Sequence, residues 1–199
     1  MIDLGPATED DVVLAFLQAE IDSVRFGSCY ATILANSGLD RHSVIDHPDR
    51  SSPQANSIRR ELLNLVRGYG SGKALFTGFP PDVAWRHVSM GQGDFPKLRY
   101  AKCAPWIELS GGTRLVTEGA KNIAPGGPAE DAAVNIRAVL DDLKCGKRYP
   151  ELIGVEGQNG DIILMEGHTR ATAYVLSPPA EPIGCIVGSS STMTSWAFY

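Results

Sequence analysis

The sequence has little that would place it in a specialised class. Its four cysteines, Cys29, Cys103, Cys145 and Cys185, are scattered with no CxxC pair, so the ligand spacing of a zinc knuckle is missing. No apolar run approaches the roughly 20 residues of a membrane span, so no membrane partner is expected. Basic residues are not in surplus: 18 Lys and Arg stand against 23 Asp and Glu, for a net charge of −5. That weighs against a nucleic-acid partner, which ordinarily needs a basic face, without forbidding a local patch. The first residues, Met1-Ile2-Asp3-Leu4-Gly5-Pro6, lack the basic and apolar regions of a secretory leader. A reducing cytoplasm with free thiols is therefore the expected setting. Internal repeats and low-complexity tracts are absent.

What is present reads as ordinary globular chain. At 199 residues it can form one large domain or two small ones. Thr8 caps a first helix whose opening turn is acidic through Glu9, Asp10 and Asp11. Val13, Phe16, Leu17, Glu20 and Ile21 then recur at helical spacing. Tyr30, Ile33 and Leu34 carry a second short helical pattern ending at Gly38. Ser52-Pro53 opens a third helix with Ile58, Leu62, Leu65 and Val66 on one face. The stretch Arg67-Gly68-Tyr69-Gly70-Ser71-Gly72-Lys73 echoes a phosphate loop. It lacks the first glycine, has no Ser or Thr after the lysine and follows a helix, so it reads as a flexible helix exit. In the polar loop from Asp40 to Ser52, His42, Asp46, His47 and Asp49 read as solvated side chains rather than a metal site.

Gly78-Phe79-Pro80-Pro81 reads as a boundary between a mostly helical region, residues 1–80, and a second domain, 81–199. In that second part, Ala84–Met90, Leu98–Tyr100, Trp106–Leu109, Leu152–Val155 and Ile183–Gly188 read as strands. Leu115–Ile123 reads as a short helix and Glu130–Gly146 as a strong one. Ala124-Pro125-Gly126-Gly127-Pro128 reads as a loop. Ser110-Gly111-Gly112-Thr113-Arg114 fits either a plain turn or part of a ligand mouth. The aromatic C-terminus, Trp196-Ala197-Phe198-Tyr199, is expected to pack on the body.

Polar chemistry concentrates between two apolar segments, in Asp161 to Leu176. Ile162–Met165 reads as a buried strand, Glu166-Gly167 as a tight turn, and His168-Thr169-Arg170 as a helix start. A helix start offers free N–H groups and the positive end of the dipole, which favour an anion. Arg170 adds a planar fork suited to phosphate. Glu166 and His168 are candidates for acid–base work. The plainer alternative is that Glu166 pairs with Arg170 and His168 is a satisfied packing residue.

The stretch Glu166-Gly167-His168-Thr169-Arg170, between a strand and a helix and followed by another strand, resembles the fold shared by ParB N-terminal domains, sulfiredoxin and the free-serine kinases. The resemblance spans roughly the C-terminal half. It implies an α+β fold: a small mixed sheet with flanking helices, preceded here by the helical region. By resemblance, Gly167, His168, Thr169 and Arg170, with Arg114, would hold the phosphates of ATP or another nucleotide with Mg²⁺. Glu166 and His168 would act on the substrate, with Glu108 or Glu118 in the place of a further catalytic glutamate. Sulfiredoxin chemistry is not expected, because no cysteine stands near the motif. The DNA-reading module of ParB proteins is not expected either, since only about a dozen residues follow the last strand. The leading expectation is a nucleotide-binding enzyme that transfers phosphoryl groups or hydrolyses nucleotide on a small-molecule substrate. Two alternatives stand: a ParB-like nucleic-acid-associated protein or nuclease, which predicts a basic stripe of Arg59, Arg60, Arg67 and Lys73, and a non-catalytic nucleotide or metabolite sensor.

Overall fold

The computed structural model describes residues 1–123 and 130–199, with side chains described from residue 132 onward in the second span. The loop expected at Ala124–Pro128 lies outside the described residues. The protein is α+β. A six-stranded mixed sheet is built from β1 (Ile2–Ala7), β2 (Ala84–Met90), β3 (Leu98–Arg99), β4 (Leu152–Glu156), β5 (Ile162–Glu166) and β6 (Ile183–Ser189), in the order β1-β2-β6-β4-β5-β3. β4 runs parallel to β6 and β3 parallel to β5; the remaining pairs are antiparallel.

Helices cover both faces. α1 (Glu9–Glu20), α2 (Gly27–Asn36) and α3 (Pro53–Arg67) share one core with Ile153, Val155, Ile163, Met165 and Ile186 of the sheet. On the other face, α5 (Val116–Lys121), α6 (Glu130–Lys144) and α7 (His168–Leu176) meet Leu152, Ile162, Leu164, Cys185 and Val187. The strand period of two sends alternate residues of β5 into the two cores. A short helix, α4 (Ala104–Leu109), precedes α5.

Local signals explain most of the helix ends. Thr8 and Asp11 form a reciprocal capping box at α1. Ser52 caps α3, Pro53 opens it and Gly68 closes it in the left-handed conformation. Two elements differ from expectation. Trp106–Leu109 is helical, because Pro105 suits a first helical turn and Gly111 and Gly112 end the segment with positive φ. The N-terminal segment is a strand despite Gly5 and Pro6. β1 lies at the sheet edge, where a missing N–H is tolerated, and a register shift falls between Asp3 and Gly5.

The C-terminal residues clasp the turn read as a boundary. Trp196 Nε1 donates to Leu75 O at 2.7 Å, Ala197 N to Thr77 O at 2.9 Å and Ser195 Oγ to Gly78 O at 2.7 Å. The Gly-rich exit after α3 is tied as well: Tyr69 hydrogen-bonds Glu9 and stacks edge-on against Phe76. Among the described residues, no helix is long and apolar enough to cross a membrane.

Candidate functional site

The strand–turn–helix forms where the sequence places it. Gly167 is buried with φ +95°, and a Cβ there would strike Leu152 Cδ2 and come within 3.1 Å of Arg170 Nη2. Only glycine suits both demands. No side chain caps α7.

Its polar side chains, however, are turned to internal use. Arg170 is 6% exposed. Its Nη1 donates to Pro150 O at 2.5 Å and reaches Glu151 O at 3.5 Å, and its Nη2 donates to Glu166 Oε1 at 3.2 Å. The fork expected on a ligand phosphate thus straps α7 to the segment entering β4. His168 stacks on Trp106, with ring centroids 5.1 Å apart, and its Nε2 accepts a hydrogen bond from Ala101 N at 3.2 Å. An accepting Nε2 puts the proton of a neutral ring on Nδ1. Burial first, and then the charges of Arg67, Arg170 and Arg114, push His168 down to about 3. The ring therefore stays neutral and is not the protonated phosphate donor that the sequence allowed.

The other expected site residues are dispersed. Arg114 gives Nε to Tyr100 O at 2.9 Å and Nη1 to Tyr199 O at 3.0 Å, so it holds the C-terminal segment. Ser110–Gly112 forms a turn, and Arg114 N donates to Ser110 Oγ at 2.9 Å. Thr169 is half-buried in the first turn of α7, and Glu108 is exposed on α4. Glu118 is paired with Lys121. Of the expected basic stripe, Lys73 is exposed and the three arginines are bonded within the protein. Arg59 is 1% exposed and bonded to Val44 O and Asp49 O, Arg60 pairs with Asp10, and Arg67 pairs with Glu20.

Next to the turn lies a cleft of about 610 Å³, lined by residues that include Asp11, Gln18, His47, Arg50, Pro150 and Glu151. The size suits a small polar ligand. Pro150 and Glu151, the wall of the cleft, are the residues whose carbonyls Arg170 holds. His87 of β2 lies beside two of the cleft's carboxylates. His87 Nδ1 is 3.0 Å from Glu151 Oε1, and His87 Nε2 is 3.9 Å from Asp11 Oδ2. Gly184 of β6 leaves the room for this, because a Cβ there would lie 2.8 Å from Glu151 Cγ. Asp11 also takes both Thr8 groups and Arg50. Burial raises its pKa, but the hydrogen bonds from Thr8 and the Arg50 guanidinium outweigh that and hold the carboxyl below the usual range.

Sequence reasoning missed this cleft because Asp11, His87 and Glu151 come from three distant segments. The available signal was the alternation of Ala84–Met90, which sets His87 on the same face as Trp85.

The Mg²⁺ implied by the resemblance finds no matching donors. Among the described residues, no group of three or more His, Cys, Asp or Glu is placed to hold a metal ion. Asp11 contacts Arg50 and Thr8, and Glu151 contacts His87. No family model matches the chain, and no curated protein or solved structure shows detectable similarity to it.

Proposed function

We propose that this protein is an enzyme that binds a nucleotide-sized, phosphate-bearing ligand in the cleft and moves a proton at a hydroxyl of a small-molecule substrate, as in phosphoryl transfer or nucleotide hydrolysis. The observation that carries the reading is the hold of Arg170 on Pro150 and Glu151, which stations the Glu151 carboxylate in the cleft beside His87. Phosphoryl transfer needs a base near the acceptor and positive charge near the phosphates. Glu151 is the base, because among the described residues its carboxylate is bonded to the histidine alone. Arg50 and His47, in the cleft wall, supply the donors for phosphate. Asp11, held ionised by Thr8 and Arg50, is a fixed acceptor for a ligand hydroxyl. The four free thiols suit a reducing compartment such as the cytoplasm.

The test is a calorimetric screen of ATP, ADP and CTP with and without Mg²⁺, followed by an assay for released phosphate. Binding should appear in the wild type and weaken by about tenfold or more in Arg50→Ala, the scale of a lost charge-assisted contact. Glu151→Gln should keep binding and lose turnover by about 100-fold. If none of the three nucleotides binds, the reading fails. Binding without phosphate release would favour a sensor.

A further inference from the structure

The segment that forms one wall of the cleft carries two histidines. His42–Asp46 is a single turn of π-helix, closed by His47 N donating to His42 O at 2.7 Å. An α-helical turn sets residues four apart side by side, and the wider turn makes the fifth residue the neighbour instead. The His42 and His47 rings accordingly meet, with centroids 4.4 Å apart and planes tilted by 45°. Such a tilt is neither the offset stack nor the T-shape that aromatic pairs favour. Both residues are exposed, and among the described residues no ring nitrogen of either makes a hydrogen bond.

The backbone under the two rings is held by side chains from α1 and α3. Arg59, only 1% exposed, donates to Val44 O at 3.1 Å and to Asp49 O at 3.0 Å. Gln18 Nε2 donates to Ile45 O at 3.0 Å, and Asn56 Nδ2 to Arg50 O at 3.2 Å. Arg41 is anchored to Asp22 and Asp46. The chain between the rings therefore has little freedom, which is the preorganisation a ligand set needs. Asp40 adds a carboxylate near His42, where it accepts from Ser43 N at 3.0 Å.

We propose that His42 and His47 form an open site for one divalent cation of borderline softness, such as Zn²⁺ or Ni²⁺, at the edge of the cleft. Neutral imidazole suits these ions, whereas Mg²⁺ prefers oxygen. With metal–nitrogen bonds of about 2.0–2.1 Å, two imidazoles on one ion have ring centroids roughly 4.5–5.2 Å apart, so the pair stands close to the required spacing. Two protein ligands leave the other positions of the ion to water or to an incoming oxygen anion, and an open position is what separates catalytic from structural metal sites. His47 also lines the cleft. A ring bound through one nitrogen donates its other N–H, so a phosphate in the cleft meets both the ion and that N–H. This last step rests on the cleft reading above; the metal site does not.

Calorimetry of the whole chain with Zn²⁺, without nucleotide, should show a site for which Mg²⁺ does not compete. His42→Ala and His47→Ala, both at exposed positions, should each weaken Zn²⁺ binding by about tenfold or more, the advantage that chelation gives over a single imidazole. Proton NMR locates the ion. The two imidazole signals that the variants remove should be those that shift with Zn²⁺ in the wild type, while the signals of His87 and His168 stay. Zinc held by the exposed Cys29 or Cys145 would leave all four histidine signals unmoved and overturn the proposal, and the wild-type spectrum decides this even if a variant fails to fold. A shift confined to His87, or equal affinity in the wild type and both variants, overturns it too. If zinc binds at the pair and no nucleotide binds, the metal site stands and the cleft reading falls. Nucleotide binding without a zinc site gives the reverse.

Discussion

His168 and His87 each sit among charged side chains, but to opposite ends. His168 lies against Trp106 with three guanidinium groups near, accepts one backbone hydrogen bond and is held neutral. His87 rests beside two carboxylates of an open cleft. The first arrangement fixes a turn. The second places in the cleft wall a carboxylate that, among the described residues, is bonded to one histidine, an arrangement that suits the proposed proton transfer. Arg170 joins the two regions, since it anchors at the turn and grips the cleft wall.

The comparison breaks most sharply at Arg170. Arg170→Ala leaves Glu166 and two half-buried carbonyls without this donor and should cost about 3 kcal/mol in denaturant unfolding. If the guanidinium instead served only a ligand, its removal would leave stability nearly unchanged. Gly167→Ala comes next. It forces a Cβ into the left-handed region and onto Leu152, and should cost about 2 kcal/mol or more by the same measurement. The smallest effect on stability belongs to the cleft. Gly184→Ala pushes on Glu151 Cγ, which can swing aside, so it should cost less than about 1 kcal/mol. Its mark is chemical: phosphate release should fall while nucleotide binding holds, and a variant with unchanged release would detach the His87–Glu151 pair from function.

Much of the scaffold was legible because its signals are local. Ser52, Pro53 and Gly68 bound α3 as capping chemistry dictates, and Ile162–Met165, Gly167 and His168 mark a strand, a turn and a helix start. Trp106–Leu109 misled because four residues alternate as well in one helical turn as in a strand, and Pro105 was the better guide. β1 was hidden by Gly5 and Pro6, which an edge strand accepts. At the motif, the sequence showed which residues would gather, but not whether Arg170 would face a ligand or the carbonyls of Pro150 and Glu151. That choice is made by a segment some twenty residues away, as the Arg170–Pro150 bond shows. Glu20, 2% exposed and bonded to Tyr30 OH, did leave a trace, as the one acid in the apolar spacing of Val13, Phe16, Leu17 and Ile21.

The opposite shifts of Glu20 and His168 have a consequence for folding itself. In the unfolded chain, between about pH 4.5 and 6.5, the glutamate is an anion and the histidine a cation. In the folded chain burial keeps the proton on Glu20 up to about 7, and His168 refuses one down to about 3. His168 alone would make stability fall as pH drops below 6.5, and Glu20 alone would make it fall as pH rises above 4.5. Within that window the two slopes oppose each other. Folding there amounts to passing one proton from an imidazolium to a carboxylate, so that two hydrated ions enter the interior as two neutral groups.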